Sequence, residues 1–199
     1  MEVDDIKKFF PTYLTDTKKA ELAEALEKFN ASTSPLYTTH DTGDLLQGDV
    51  WSGLEIIEFE SASRRWIHGI VLSNSCDVDD ENARHLPPSL IIAPLVKLSQ
   101  LERLLLENGI AASVVESKVK AMEKQQITSV FYLPTAFCLH EPHVILLDQV
   151  HSIPLNKFKE KKDTKRHFSL NMLGFYLFIF KLSMHFCRLH ENVDRPVRP

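Results

Sequence analysis

From Gly43 onward the chain alternates short apolar runs with polar, Gly- or Pro-containing breaks, the pattern of strands joined by turns. "DLLQGDVWS" and "LEIIEFE" read as two β-rich runs parted at Ser52-Gly53, "SASRR" as a turn, and "WIHGIVLS" as the next strand. "VDDENARHLPPS" is a polar loop closed by Pro87-Pro88, and "LIIAPL", "SVFYLP" and "HVILLDQVHSI" are further strands. Helical spacing interrupts this series at about 99–126. Leu101, Leu104 and Leu105 share a helix face that stops at Asn108-Gly109, and Val114, Val115, Val119 and Met122 imply a second helix. The spacing predicts a helical hairpin inserted between strands.

The two ends are helical in pattern. "VDDIKKFF" is stopped by Pro11, "TDTKKAELAEALEKFN" opens on Asp16 or Thr17 as a cap, and "ASTSPLYTTHDTGD" has linker composition. "SLNMLGFYLFIFKLSMHFCRLHEN" is apolar on most faces, which predicts a helix packed across the sheet or buried in a homodimer interface. The organisation expected is a helical segment and linker at 1–42, a strand-rich unit at 43–158, and a basic connector with a terminal helix at 159–199. The fold class expected is α+β.

Composition narrows the function classes only a little. The 199 residues are 44% hydrophobic and 25% charged with a net charge of -4, so there is no global basic field for nucleic acid. Three scattered cysteines, Cys76, Cys138 and Cys187, fit a reducing cytoplasm rather than a disulfide framework. "MEVDDIKKFF" does not read as a signal peptide, and "LNMLGFYLFIF" is shorter than the ~20 residues of a membrane span. No membrane association is expected.

Four segments carry a resemblance. "QGDVW" (Gln47 to Trp51), "GIVLSN" (Gly69 to Asn74), "LIIAPL" (Leu90 to Leu95) and "HVILLDQVHSIPLNKF" (His143 to Phe158) occur in this order. Together they resemble the signature strands of the PemK/MazF toxin superfamily, over residues 43 to 158 apart from the helical insertion. The resemblance implies a small antiparallel SH3-like barrel with helices at its edges. It also implies a metal-independent endoribonuclease acting on single-stranded RNA, without cofactor, with an antitoxin or other protein as partner. The family's catalytic arginine before the second strand is replaced here by His68, with Arg64 and Arg65 slightly upstream. Its Thr or Ser after the third strand is replaced by Val96, which cannot hydrogen-bond. The alternative is therefore an inactive barrel serving as a protein-interaction module in a toxin–antitoxin or phage-defence setting.

RNA cleavage without a metal needs a base for the 2′-hydroxyl, an acid for the leaving oxygen and a cation for the phosphorane charge. His68 suits the acid or base role, Arg65 the fixed charge, and Asp77 the orientation of the histidine. Arg64, with Lys157, Lys161, Lys162 and Arg166 of the tract "KFKEKKDTKRH", would grip phosphates; the plain reading of that tract is a solvated connecting loop. Cys76 in "SNSCDVD" would be a nucleophile only with His68 or His85 in reach, and Asp77, Asp79 and Asp80 disfavour a thiolate there. The thiol is expected to pack beneath the strand end. Neither "CLHEPH" nor the group Cys76, Asp77 and His85 has the spacing of a zinc site, and no metal is expected.

Overall fold

A computed structural model of the chain describes residues 36–39, 43–79, 82, 86–136 and 139–187, with 15–17, 20 and 24 of the N-terminal stretch. Asp16, Thr17, Ala20 and Glu24 are helical. The rest of the two N-terminal helices expected from sequence lies outside the described residues, as do Asp80, His85 and Cys138.

The elements run β1 (Tyr37–Thr38), β2 (Asp49–Ile57), β3 (Arg64–Val71), α1 (Ser75–Val78), β4 (Ser89–Lys97), α2 (Leu98–Glu107), α3 (Ala112–Glu123) and β5 (Val130–Leu133). They continue with β6 (His143–Leu146), β7 (His151–Pro154), α4 (Leu155–Glu160), β8 (Lys165–Leu170) and α5 (Met172–Cys187). The architecture is α+β. The described strands form one eight-stranded sheet in the order β1-β8-β2-β3-β4-β6-β5, with β7 also on β4. Each pairing between them is antiparallel. No helix among the described residues is long and apolar enough to cross a membrane.

β4 is the strand on which the sheet turns. One edge pairs with β3 at Ile92–Pro94, while the other pairs first with β7 at Ser89–Ile92 and then with β6 at Leu95–Lys97. Pro94 stands at the handover between β7 and β6, where a residue with no N–H to donate leaves no gap in a ladder.

Three apolar clusters fill the space the sheet and helices enclose. Val50, Ile70, Phe131, Phe168 and Phe178 belong to the first, which α5 covers, and the rings of Phe131 and Phe178 lie 5.3 Å apart. Leu54, Ile56, Val71, Ile92 and Phe158 form the second, beneath α4. Leu98, Met122, Val130 and Val144 form the third, where α2 and α3 meet β5 and β6. β2 feeds two of these because the extra residue at Ser52-Gly53 turns the side chains that follow to the other face, Val50 going to the first cluster and Leu54 and Ile56 to the second. Phe178 is fully buried, so the terminal helix presents one side to the core; Met172 and Phe186 are exposed.

Several expectations from the pattern need correction. "DLLQGDVWS" and "LEIIEFE" are not separate runs: one strand crosses Ser52-Gly53 by a β-bulge, because Trp51 pairs with Gly69 and Leu54 with Ile67. Arg64 and Arg65 belong to β3 rather than to the preceding turn. "HVILLDQVHSI" is two short strands parted by a turn at 147–149. The basic tract is not a loop; it folds as α4 and the start of β8, and the terminal helix begins only at Met172.

Candidate functional site

Two bulges face one another across β2. Trp51 pairs with Gly69 and Leu54 with Ile67, which sets Ser52 and Gly53 against the single residue His68. On the other edge of β2, Val50 pairs with Phe168 and Trp51 with Arg166, which leaves His167 as the extra residue of β8. A bulge re-aims the side chain it carries. Here the two irregularities bring His68 and His167 together over β2, with ring centroids 5.2 Å apart and planes at 22°. Gly53 makes the bulge possible. Its φ is +75°, and a Cβ there would lie 2.7 Å from the carbonyl oxygen of Asp163.

Both imidazoles are shifted toward the neutral form. For His68, which stays exposed, the larger cause is partial desolvation of the ring and the second is the charge of His143. For His167, also exposed, partial desolvation again leads, followed by the charges of His68 and Lys165. His143 lies in β6, with its Nδ1 hydrogen-bonded to the Glu141 carbonyl oxygen at 2.8 Å. Such a stacked pair resists carrying two protons, because each added charge opposes the other. Over an interval of pH it holds one imidazole and one imidazolium. That is a base and an acid side by side.

Beside His167 a cleft of about 410 Å³ opens between Thr38, Trp51, Lys165 and Arg166. Two of the residues that line it, Arg166 and Ser169, belong to a polar network centred on the buried Asp49. Asp49 is 0% exposed; its carboxylate accepts from Ser169 Oγ at 2.5 Å and from the Leu46 amide at 3.0 Å, with Arg166 at 3.5 Å. Burial raises the pKa of Asp49 despite these donors. Asp49 is the acid of "QGDVW", and it has a structural use: it ties β2 to β8 through Ser169 and Arg166.

The candidates chosen from sequence are not gathered into one constellation. His68 is exposed on β3; its ring stacks on that of His167 and feels the charge of His143. Arg65 is three positions away on the same strand, hence on the opposite face. It pairs with Glu58 at 2.9 Å. Asp77 sits in α1 beyond the end of β3. Cys76 does not pack beneath the strand end; it is exposed in α1, and its amide donates to the Asn74 side chain at 3.0 Å. Capping by Asn74 requires the chain to turn outward at this point, which carries the thiol to the surface.

The cations proposed for phosphate mostly have carboxylate partners. Arg64 and Lys161 both engage Glu55, Lys157 engages Glu160 at 2.8 Å, and Arg166 engages Asp49; Lys162 is exposed. Val96 is in β4, paired with Val144 of β6. Among the described residues no group of three or more His, Cys, Asp and Glu side chains is arranged to hold a metal ion.

Sequence reasoning missed His167, Asp49 and Ser169. Only Asp49 left a signal, as the acid following a glycine in "QGDVW". The stack of His68 on His167 joins positions 99 apart through bulges that no pattern of residues announces. Comparison with protein-family models gave no match, and no curated protein matched the chain.

Proposed function

We propose that this chain is a divergent PemK/MazF-type protein that cleaves single-stranded RNA without a metal, using His68 and His167 as its acid–base pair. The observation that carries the reading is the stack of the two imidazoles between facing bulges. A sheet that turns on β4 and shares its edges among three neighbours agrees with the SH3-like barrel of that superfamily.

In this reading the neutral histidine takes the proton of a ribose 2′-hydroxyl as the 2′-oxygen forms its bond to phosphorus. The protonated histidine gives its proton to the 5′-oxygen as the P–O5′ bond breaks. The products are a 2′,3′-cyclic phosphate and a free 5′-hydroxyl. Lys165, whose charge reaches His167, supplies positive potential for the phosphorane oxygens. The replacement of the family's arginine by His68 then moves the chemistry from one cation to a pair of imidazoles.

The test is end-group analysis of RNA incubated with the purified protein in EDTA. The reading expects fragments with cyclic phosphate at one end and hydroxyl at the other. Fragments with 5′-phosphates, or cleavage abolished by EDTA, would refute it. The second reading, a non-catalytic interaction module, is favoured by the pairing of Arg64, Arg65, Lys157, Lys161 and Arg166 with carboxylates, which weakens the pull on a phosphate backbone. Intact RNA together with a tight protein partner would select it.

A further inference from the structure

β3 leaves an unusual row of side chains in the open. Residues at i, i+2 and i+4 of a strand stand on one face about 7 Å apart, so Arg64, Trp66 and His68 form a line that ends at the histidine stack. Trp66 is 63% exposed in mid-strand, where a structural tryptophan would be covered. At the end of the same hairpin Phe59 is 100% exposed.

The charge around Trp66 is positive in a chain of net -4. Lys161 lies 5.6 Å from the Trp66 ring centroid, and both Lys161 and Arg64 engage Glu55, the residue paired with Trp66 across the ladder. Two cations against one carboxylate leave an excess of one positive charge beside an exposed indole. An aromatic face with cations next to it is what sequence-tolerant binding of single-stranded nucleic acid requires: a base stacks on the ring, and the flanking charge holds the phosphate.

We propose that the exposed face of β3 is a track for single-stranded RNA, on which Trp66 stacks a base and seats the adjoining phosphate at His68 and His167. The proposal rests on the acid–base reading of that pair. It deepens that reading by making Trp66 a positioning residue and by giving the substrate its direction along the strand. Glu55 then has a defined part, since it holds Lys161 beside the indole.

The experiment measures binding of a short, fluorescein-labelled 2′-O-methyl oligouridylate, which lacks the attacking hydroxyl and cannot be cut, to the full chain by fluorescence anisotropy. The expected result is a saturable rise in anisotropy that weakens as salt is raised. Trp66→Ala should lower affinity about 5- to 140-fold, the range given by stacking of one base, while Trp66→Phe keeps most of it. Unaltered binding by Trp66→Ala, or no binding by the wild-type chain, would overturn the track. The two claims separate cleanly. RNA cut by Trp66→Ala with wild-type KM removes the track and leaves the acid–base pair standing, whereas oligonucleotide bound through Trp66 beside RNA that is never cut removes the pair and leaves the track.

Discussion

Replacing Gly53 by alanine tests whether the bulge of β2 is a built feature. Two separate penalties apply. At φ +75° an L residue occupies the left-handed region, which costs about 1–2 kcal/mol. In addition the new Cβ would stand 2.7 Å from the carbonyl oxygen of Asp163, which is backbone and cannot swing aside as a side-chain tip would. Forcing that contact open resembles overpacking, at about 1–3 kcal/mol. The sum is about 2–5 kcal/mol, or roughly 4–20 °C in Tm for a chain of this size. Gly109→Ala is the control, because its φ is +80° but nothing lies within 4 Å of the added Cβ, so only the backbone penalty remains. Urea denaturation of both variants at equal m-value gives the difference directly. The reasoning fails if Gly53→Ala loses no more stability than Gly109→Ala. Agreement would also predict separated imidazoles in the Gly53 variant, visible as histidine pKa values returning toward their ordinary position.

Other outcomes follow from the same contacts. Asp49→Ala strands Ser169, the Leu46 amide and the Arg166 guanidinium in a buried place, and should cost about 3–5 kcal/mol by chemical denaturation; Asp49→Asn, which retains an acceptor, should cost less. Lys181 is buried, donates to the Gln125 carbonyl oxygen at 2.5 Å and has its pKa lowered to about 8. Between about pH 8 and the ordinary lysine value of 10.5 the unfolded chain therefore holds the extra proton, so stability should rise with pH across that window, and Lys181→Met should remove the rise. His68, His151 and His167 are all lowered below 6.5 by partial desolvation of their rings. Their contribution is complete above 6.5 and is lost as pH falls through their folded values, so unfolding in mild acid should be retarded by His151→Gln, with NMR titration of the ring protons reporting each histidine.

What could be read from the sequence was set by how locally each feature is encoded. Helices α2 and α3 show in the spacing of Leu101, Leu104 and Leu105 and of Val115, Val119 and Met122, because a helix repeats its contacts within a few residues. β8 is hidden because its first half, Lys165 to His167, is polar, and only Phe168, Ser169 and Leu170 are buried. Ser52-Gly53 looks like a gap between strands, since a bulge and a turn use the same residue types. Cys76 stood out for its flanking Ser and Asp, yet those residues serve the local turn: Asn74 caps α1, and Ser75 Oγ accepts from the Gln47 amide at 2.9 Å. His68 was chosen for its place in a resemblance, and its partner His167 came from a strand that composition disguised.

The most direct measurement is cleavage of a long single-stranded RNA in EDTA by the wild-type chain, His68→Ala, His167→Ala and the double variant. The account predicts discrete fragments from wild type and losses of about 10²–10⁴ in rate for each single variant, with the double variant little worse than either, since the pair acts as a unit. RNA left intact by the wild-type chain, or His167→Ala cutting at the wild-type rate, would contradict it.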